Sequence, residues 1–254
     1  MKITREMAEK VRDVVAAGLS EGLGQAKPGF MCVEAAVCYA LGLPHGDDPG
    51  CVDPALRRLK ICLNDGTWPS KKARAAGLQR LAIAQLGSKG AIDTTTFVSR
   101  VTTMTIQTVV PIALRAAAKL NPKHAQSLEA AALKCEQEPT RDAAADAAGA
   151  ARAAGAAGAA ADAAYAAAAA RAAADTARAA ADAARAAADA TGAAARAADA
   201  AYAAARAARA AYAAYAAAGA PSTLSEFAES VVQILIDLKA PGCEFLDLVP
   251  LEDC

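Results

Sequence analysis

The run DTARAAADAARAAADATGAAARAAD, residues 175–199, decides the fold class. Its interruptions, Asp175, Arg178, Asp182, Arg185, Asp189, Gly192, Arg196 and Asp199, fall alternately three and four apart, which draws one polar stripe along a helix. Alanine has the highest intrinsic helix propensity, and Asp and Arg at these spacings add about 0.2–0.5 kcal/mol per pair. The same pattern holds from Asp142 to Gly219. A stripe this narrow leaves methyl groups over the rest of each turn, so such helices must lie against neighbours. Each buried methyl contributes only about 0.8 kcal/mol, and stability then needs many close contacts.

We therefore expect an all-α fold, a helical bundle with long, Ala-rich, closely packed antiparallel helices. Unbroken, the stretch would run roughly 115 Å at about 1.5 Å per residue, so breaks are expected near Gly155/Gly158 and Thr191-Gly192. One continuous helix through Gly192 is the alternative. Tyr165, Tyr202, Tyr212 and Tyr215 are read as anchors with packed rings. A bilayer span is excluded for this stretch, because an ionised residue every few positions costs about 2.5–3.5 kcal/mol each at the membrane centre.

Three regions are expected: 1–139, helical with a basic segment; 140–220, the Ala-rich bundle; and 221–254, an amphipathic helix with a tail packing back on the body. Thr4 caps a first helix that carries Met7, Val11, Val14, Val15 and Leu19 on one face and ends near Gly22 to Gly24. The run from Phe30 to Leu41 is apolar nearly all round and reads as a buried helix. Glu34 inside it must find a partner or take up a proton. Asp53-Pro54 reads as a cap and first helical residue, with Leu56, Leu59, Cys62 and Leu63 facing inward and Arg57, Arg58 and Lys60 facing elsewhere. Ser70 caps the next helix, and Asp93 opens a longer one that Pro111 must kink or end. The β-branched run Thr94 to Val110 could alternatively be strand, but no partner strand is visible. Pro122 and Pro139 bracket one more helix. Phe227, Val231, Ile234, Leu235 and Leu238 mark the amphipathic C-terminal one.

The opening residues mix charges rather than forming an apolar run, so no signal peptide is expected and a cytoplasmic location is. Seven cysteines without regular spacing suit reduced, mostly buried thiols. Net charge is zero but uneven: Asp53 to Lys134 holds 13 Lys and Arg against 4 Asp and Glu, a net of +9.

The segment Met31 to Asp65 resembles an uncharacterised bacterial family that has a buried Cys/Glu helix, a Gly-x-Pro turn, an Asp-x-Pro-x-Cys motif and a terminal Asn-Asp. The residues concerned are Cys32 and Glu34, Gly42-Leu43-Pro44, Asp48-Pro49-Gly50-Cys51, and Asn64-Asp65. The resemblance implies a fold element and no activity. The alanine stretch is similar in composition to tracts of predicted bacterial immunity and conflict proteins.

Cys32, Cys38, His45, Cys51 and Cys62 offer the atom types of a zinc site, with Cys32, His45 and Cys51 the nearest to one. Their spacing matches no metal knuckle, and neither metal nor cofactor is expected. A Cys-His hydrolase would need a nucleophile beside His45 or His124. Glu34 and Asp48, with His45, could form an acid/base set if their environments separated their pKa values, but Glu34 could equally pair with a cation of the Arg57 to Lys60 turn.

The basic segment carries the clearer signal. Arg57, Arg58, Lys60 and Lys89 are candidate ligand-binding residues, and the loop Gly87-Ser88-Lys89-Gly90 could present amides to a phosphate. The competing explanation is a solvated basic face neutralised by the acidic stretches. The expected function is therefore a non-enzymatic binding protein for an anionic small molecule, such as a nucleotide signal, or for an acidic protein. Nucleic acid fits less well, since few aromatics interleave with the charges. A hydrolase using Glu34, His45 and Asp48, and a purely structural scaffold that self-associates through alanine faces, are the other two readings.

Overall fold

The computed structural model describes residues 2–154 and 222–251. Most of the alanine stripe, the expected breaks at Gly155/Gly158 and Thr191-Gly192, and the four anchor tyrosines lie outside the described residues. Among those described the fold is an all-α helical bundle, with nine closely packed α-helices and no strand. Thr94 to Val110 is helical throughout. The chain divides into two compact units, Met1–Phe97 with Ala228–Cys254, and Val98–Phe227.

In the first unit, local chemistry sets the helix starts. Thr4 Oγ1 accepts from Met7 N and opens α1 (Arg5–Ala16). Asp53 Oδ1 accepts from Ala55 N at 2.9 Å and Leu56 N at 3.3 Å, with Pro54 as the first residue of α3 (Pro54–Asn64). Ser70 Oγ caps α4 (Lys71–Ala84), and Asp93 Oδ1 accepts from Thr96 N at 2.7 Å to open α5 (Thr94–Met104). These side chains satisfy amides that the first turn leaves without an intrahelical partner.

Two boundaries differ from the sequence reading. α1 stops at Ala16, because Gly18 takes φ +118°, a conformation closed to the helix, and a glycine-rich loop begins there. The buried helix α2 (Val33–Ala40) begins after Phe30, since Cys32 serves as its cap, the thiol sulfur accepting from Ala35 N at 3.3 Å.

Val11, Val15 and Leu19, Val33 and Val37, Leu56, Leu59 and Leu63, and Leu78 and Leu81 fill the core of this unit. Its closing part begins at Ala228 within α9 (Ser222–Asp237), where Val231, Val232 and Leu235 are buried, and continues in a 3₁₀ stretch Pro241–Leu248 against α1 and α4. Gly242 makes that approach possible: its N–H donates to Leu86 O at 2.8 Å, and an added Cβ would sit 2.1 Å from Ile83 O. Arg80 pairs with Glu229 of α9 and donates to the carbonyls of Leu246 and Val249 at the end of the 3₁₀ stretch.

In the second unit, α6 (Val110–Leu120) follows α5 through one π-helical turn, Thr105–Val109. Pro111 has no N–H to give the preceding turn, and the wider turn ahead of it lets the helix continue past the residue rather than end there. The hydroxyls of Thr105 and Thr108 donate back to Val101 O and Met104 O. The run Thr94–Lys119 is long and apolar enough to cross a bilayer, but 61% of its most apolar window is buried within the protein, as in a core helix. Next come α7 (Ala125–Gln137) and α8 (Arg141–Ala153), which pack with α6. On α8 the buried residues are Ala143, Ala144, Ala147, Ala148 and Ala151, the helical spacing of a small-residue face that admits close approach. Arg115 holds Glu129 and Glu136, and Lys134 meets Asp146 at 2.6 Å.

Candidate functional site

The motif residues of α2 and α3 meet inside the first unit. Lys60 is wholly buried rather than on the outer face of α3, because Leu56, Leu59, Lys60 and Leu63 share one helical stripe and turn inward together. Its Nζ lies 3.4 Å from Glu34 Oε1, with both side chains 0% exposed. Gln85, the C-cap of α4, donates its Nε2–H to Glu34 Oε2 at 3.3 Å. Burial pushes the Glu34 carboxyl above its ordinary range and the Lys60 amine below its own, and each partner's charge opposes the other's shift. Enclosed in this way, the pair braces three helices and offers no face to a substrate.

Asn64 and Asp65 hold the loop that precedes α2. Asn64 Oδ1 accepts from Val33 N at 3.1 Å while its Nδ2 donates to Ser20 O at 2.9 Å, and Asp65 Oδ1 accepts from Gly22 N at 2.9 Å. Asp48 accepts from Gly50 N and pairs with Arg57 at 2.9 Å, so Arg57 secures the acidic loop. His45 Nε2 lies 3.2 Å from Gly24 O, which can only accept, and therefore carries the proton. No hydrogen bond or ion pair joins Glu34, His45 and Asp48 to one another. His124 belongs to the second unit, ahead of α7.

Among the described residues no three His, Cys, Asp or Glu side chains are grouped to hold a metal ion. Cys32 is engaged in capping, His45 in its carbonyl contact, and Cys51 lines an open cleft of about 240 Å³ with Leu43, Pro49 and Lys89. Burial raises the Cys32 thiol and pushes that of Cys38 up to about 12, so both are poor thiolates at neutral pH.

The cations of the basic segment separate by partner. Arg57, Lys60 and Arg80 face carboxylates, and buried Arg74 donates to the carbonyls of Leu19 and Gly66. Lys71 and Lys72 are exposed and donate to backbone carbonyls, Gly29 O at 3.3 Å and Ala16 O at 2.8 Å, while exposed Arg58 and Lys89 make no side-chain pair among the described residues.

Lys71 meets a residue that the sequence reading placed inside a helix. Phe30 is 43% exposed, and Lys71 Nζ lies 4.2 Å from its ring centre, with Lys27 Nζ at 5.1 Å. The sequence signal was available in Lys27-Pro28-Gly29-Phe30, a turn dipeptide directly ahead of the aromatic. The loop beneath is tightly tied: Gln25 N donates to Phe30 O, Phe30 N to Lys27 O, Ser20 N to Met31 O and Cys32 N to Leu23 O. Gly24, at φ +70°, has room for nothing larger, since a Cβ there would fall 2.0 Å from Phe30 O.

A shallow groove of about 470 Å³ lies between Met7 and Val14 of α1 and Tyr39 and Leu41 at the end of α2, and a cavity of about 110 Å³ borders Cys32, Asp47, Asn64 and Asp65. No family model matches the chain, and comparisons with curated proteins and with solved structures find no similar one.

Proposed function

We propose that this protein is a non-enzymatic binding module for an anionic partner. The observation that carries the reading is that Lys27 and Lys71 are held over one exposed aromatic ring, and that they, Lys72, Arg58 and Lys89 are among the exposed cations with no carboxylate partner among the described residues. Lys27, Lys71 and Lys72 are positioned by carbonyls and a ring rather than by carboxylates, which leaves their charge available. The hydrolase reading has less support, because Glu34 has no exposed surface and His45 and Asp48 are each engaged elsewhere.

A thermal-shift screen of the full chain against nucleotides, phosphorylated metabolites and acidic peptides, at low and high salt, tests the proposal. A stabilising anion whose effect fades as salt rises is the expected result. Stabilisation by neutral or cationic compounds alone, or product formed from any of the compounds, would refute it.

A further inference from the structure

Resting on that reading, we infer that the Lys27–Phe30–Lys71 surface docks an acidic protein segment carrying an apolar side chain, rather than a phosphorylated small molecule. Three observations favour a polypeptide.

The first is shape. Small ligands are held in concave sites that bury most of their surface. None of the three cavities described above is lined by Lys27, Phe30 or Lys71, and Phe30 stands 43% exposed on a loop. An aromatic ring presented outward is the kind of residue that dominates the binding energy at the centre of protein interfaces, with charged groups toward the rim.

The second is charge. Lys27 and Lys71 lie over the ring, and Lys72 follows at the start of α4, and none of the three makes an ion pair among the described residues. A partner that lays an apolar side chain against the exposed part of the ring brings carboxylates to the lysines over it. Neutral or basic segments would leave these ammonium groups partly desolvated and unpaired, which selects against them.

The third is preorganisation. The loop from Gly18 to Met31 holds four glycines at positive φ, Gly18, Gly22, Gly24 and Gly29, and is cross-tied by the backbone hydrogen bonds that fix Phe30 to Gln25 and Lys27. Asp65 and His45 fasten it to neighbouring segments at Gly22 and Gly24. The ring and its lysines are thus set before a partner arrives, and little ordering entropy is lost on binding. Leu23, 45% exposed, lies on the same loop.

Panning a phage library of random dodecapeptides against the full chain tests this. The expected outcome is enrichment of peptides that combine Asp or Glu with an aromatic or aliphatic residue. Their affinity should fall about tenfold or more in Phe30→Ala and in Lys71→Gln, and hold in Lys89→Gln. Both first positions are exposed, and an unchanged circular-dichroism melt confirms that each variant folds. Acidic peptides that lose binding in Lys89→Gln or Arg58→Gln but not in Phe30→Ala would overturn the docking surface and leave the broader proposal standing. Peptides without acidic residues, or no enrichment, would overturn this inference, and the salt-dependent screen above then decides the broader one alone. Concentration-dependent self-association that Phe30→Ala abolishes would assign the surface to a second copy of the chain and likewise overturn it.

Discussion

Lys60 Nζ stands 3.4 Å from Glu34 Oε1, and neither side chain reaches water. The pair joins α2 to α3, and Gln85 extends it to α4. Removing one member of such a pair strands the other in the core, whereas replacing both with apolar groups of similar size does not. We expect Lys60→Met to cost about 3–5 kcal/mol, and Glu34→Leu combined with Lys60→Met to cost less than either single change. Urea unfolding of the two single variants and the double one measures the cycle. Near-neutral single variants would remove the brace.

Gly242 and Gly149 make opposite predictions. A Cβ on Gly242 would collide with backbone carbonyls of α4 at Ile83 and Ala84, so Gly242→Ala should destabilise by about 2 kcal/mol or more. Gly149 lies within α8 with nothing in reach of an added Cβ, and Gly149→Ala should stabilise by about 0.5–1 kcal/mol through helix propensity. Melting temperatures of the two variants check both signs.

The caps were legible in the sequence because their chemistry is local. Thr4, Asp53-Pro54, Ser70 and Asp93 each satisfy amides two or three residues on, and reading them needs no knowledge of the rest of the chain. The alanine face of α8 was legible for the same reason. Lys60 was legible only in part: a pairing of Glu34 with a cation of the Arg57 to Lys60 turn could be read and is found, but the burial of this lysine could not, since a lysine between Leu59 and Ile61 looks like surface until its partner, 26 positions away, is known. The periodicity that carries Leu56, Leu59 and Leu63 inward was the signal that placed it. Arg74 was hidden in the same way, its guanidinium being spent on two loop carbonyls. Phe30 was misplaced because cysteine is an uncommon cap, so the apolar run seemed to start the helix earlier than Cys32 allows.

Arg115 gives the second unit a pH signature. Its hydrogen bond holds the Glu136 carboxyl below the ordinary value of 4.5. A carboxyl depressed in the folded state contributes stability that is complete above its unfolded pKa and is lost as pH falls through the folded one. The stability gap between the wild type and Arg115→Met should therefore be wide near neutrality and close progressively below about pH 4.5. Urea midpoints across that range measure it, and a gap independent of pH would exclude the ionised pair as its source.

Burial pushes the thiols of Cys38 to about 12 and of Cys135 and Cys243 to about 11. Few thiolates exist at these positions at neutral pH, and alkylation by iodoacetamide should be slow there until the protein unfolds. Peptide mapping after labelling with and without urea tests this, and rapid native labelling of Cys38 would contradict it.

Whether the exposed lysines form a binding surface is tested most directly by titrating a labelled peptide of alternating Glu and Leu into the full chain, followed by anisotropy at low and high salt. The wild type should bind saturably and lose about tenfold or more in affinity at high salt. Lys27→Gln, Lys71→Gln and Lys72→Gln combined should bind weakly at either salt with an unchanged melting temperature. Equal affinity in wild type and triple variant, or no saturable binding to the wild type, would contradict a binding role for this surface.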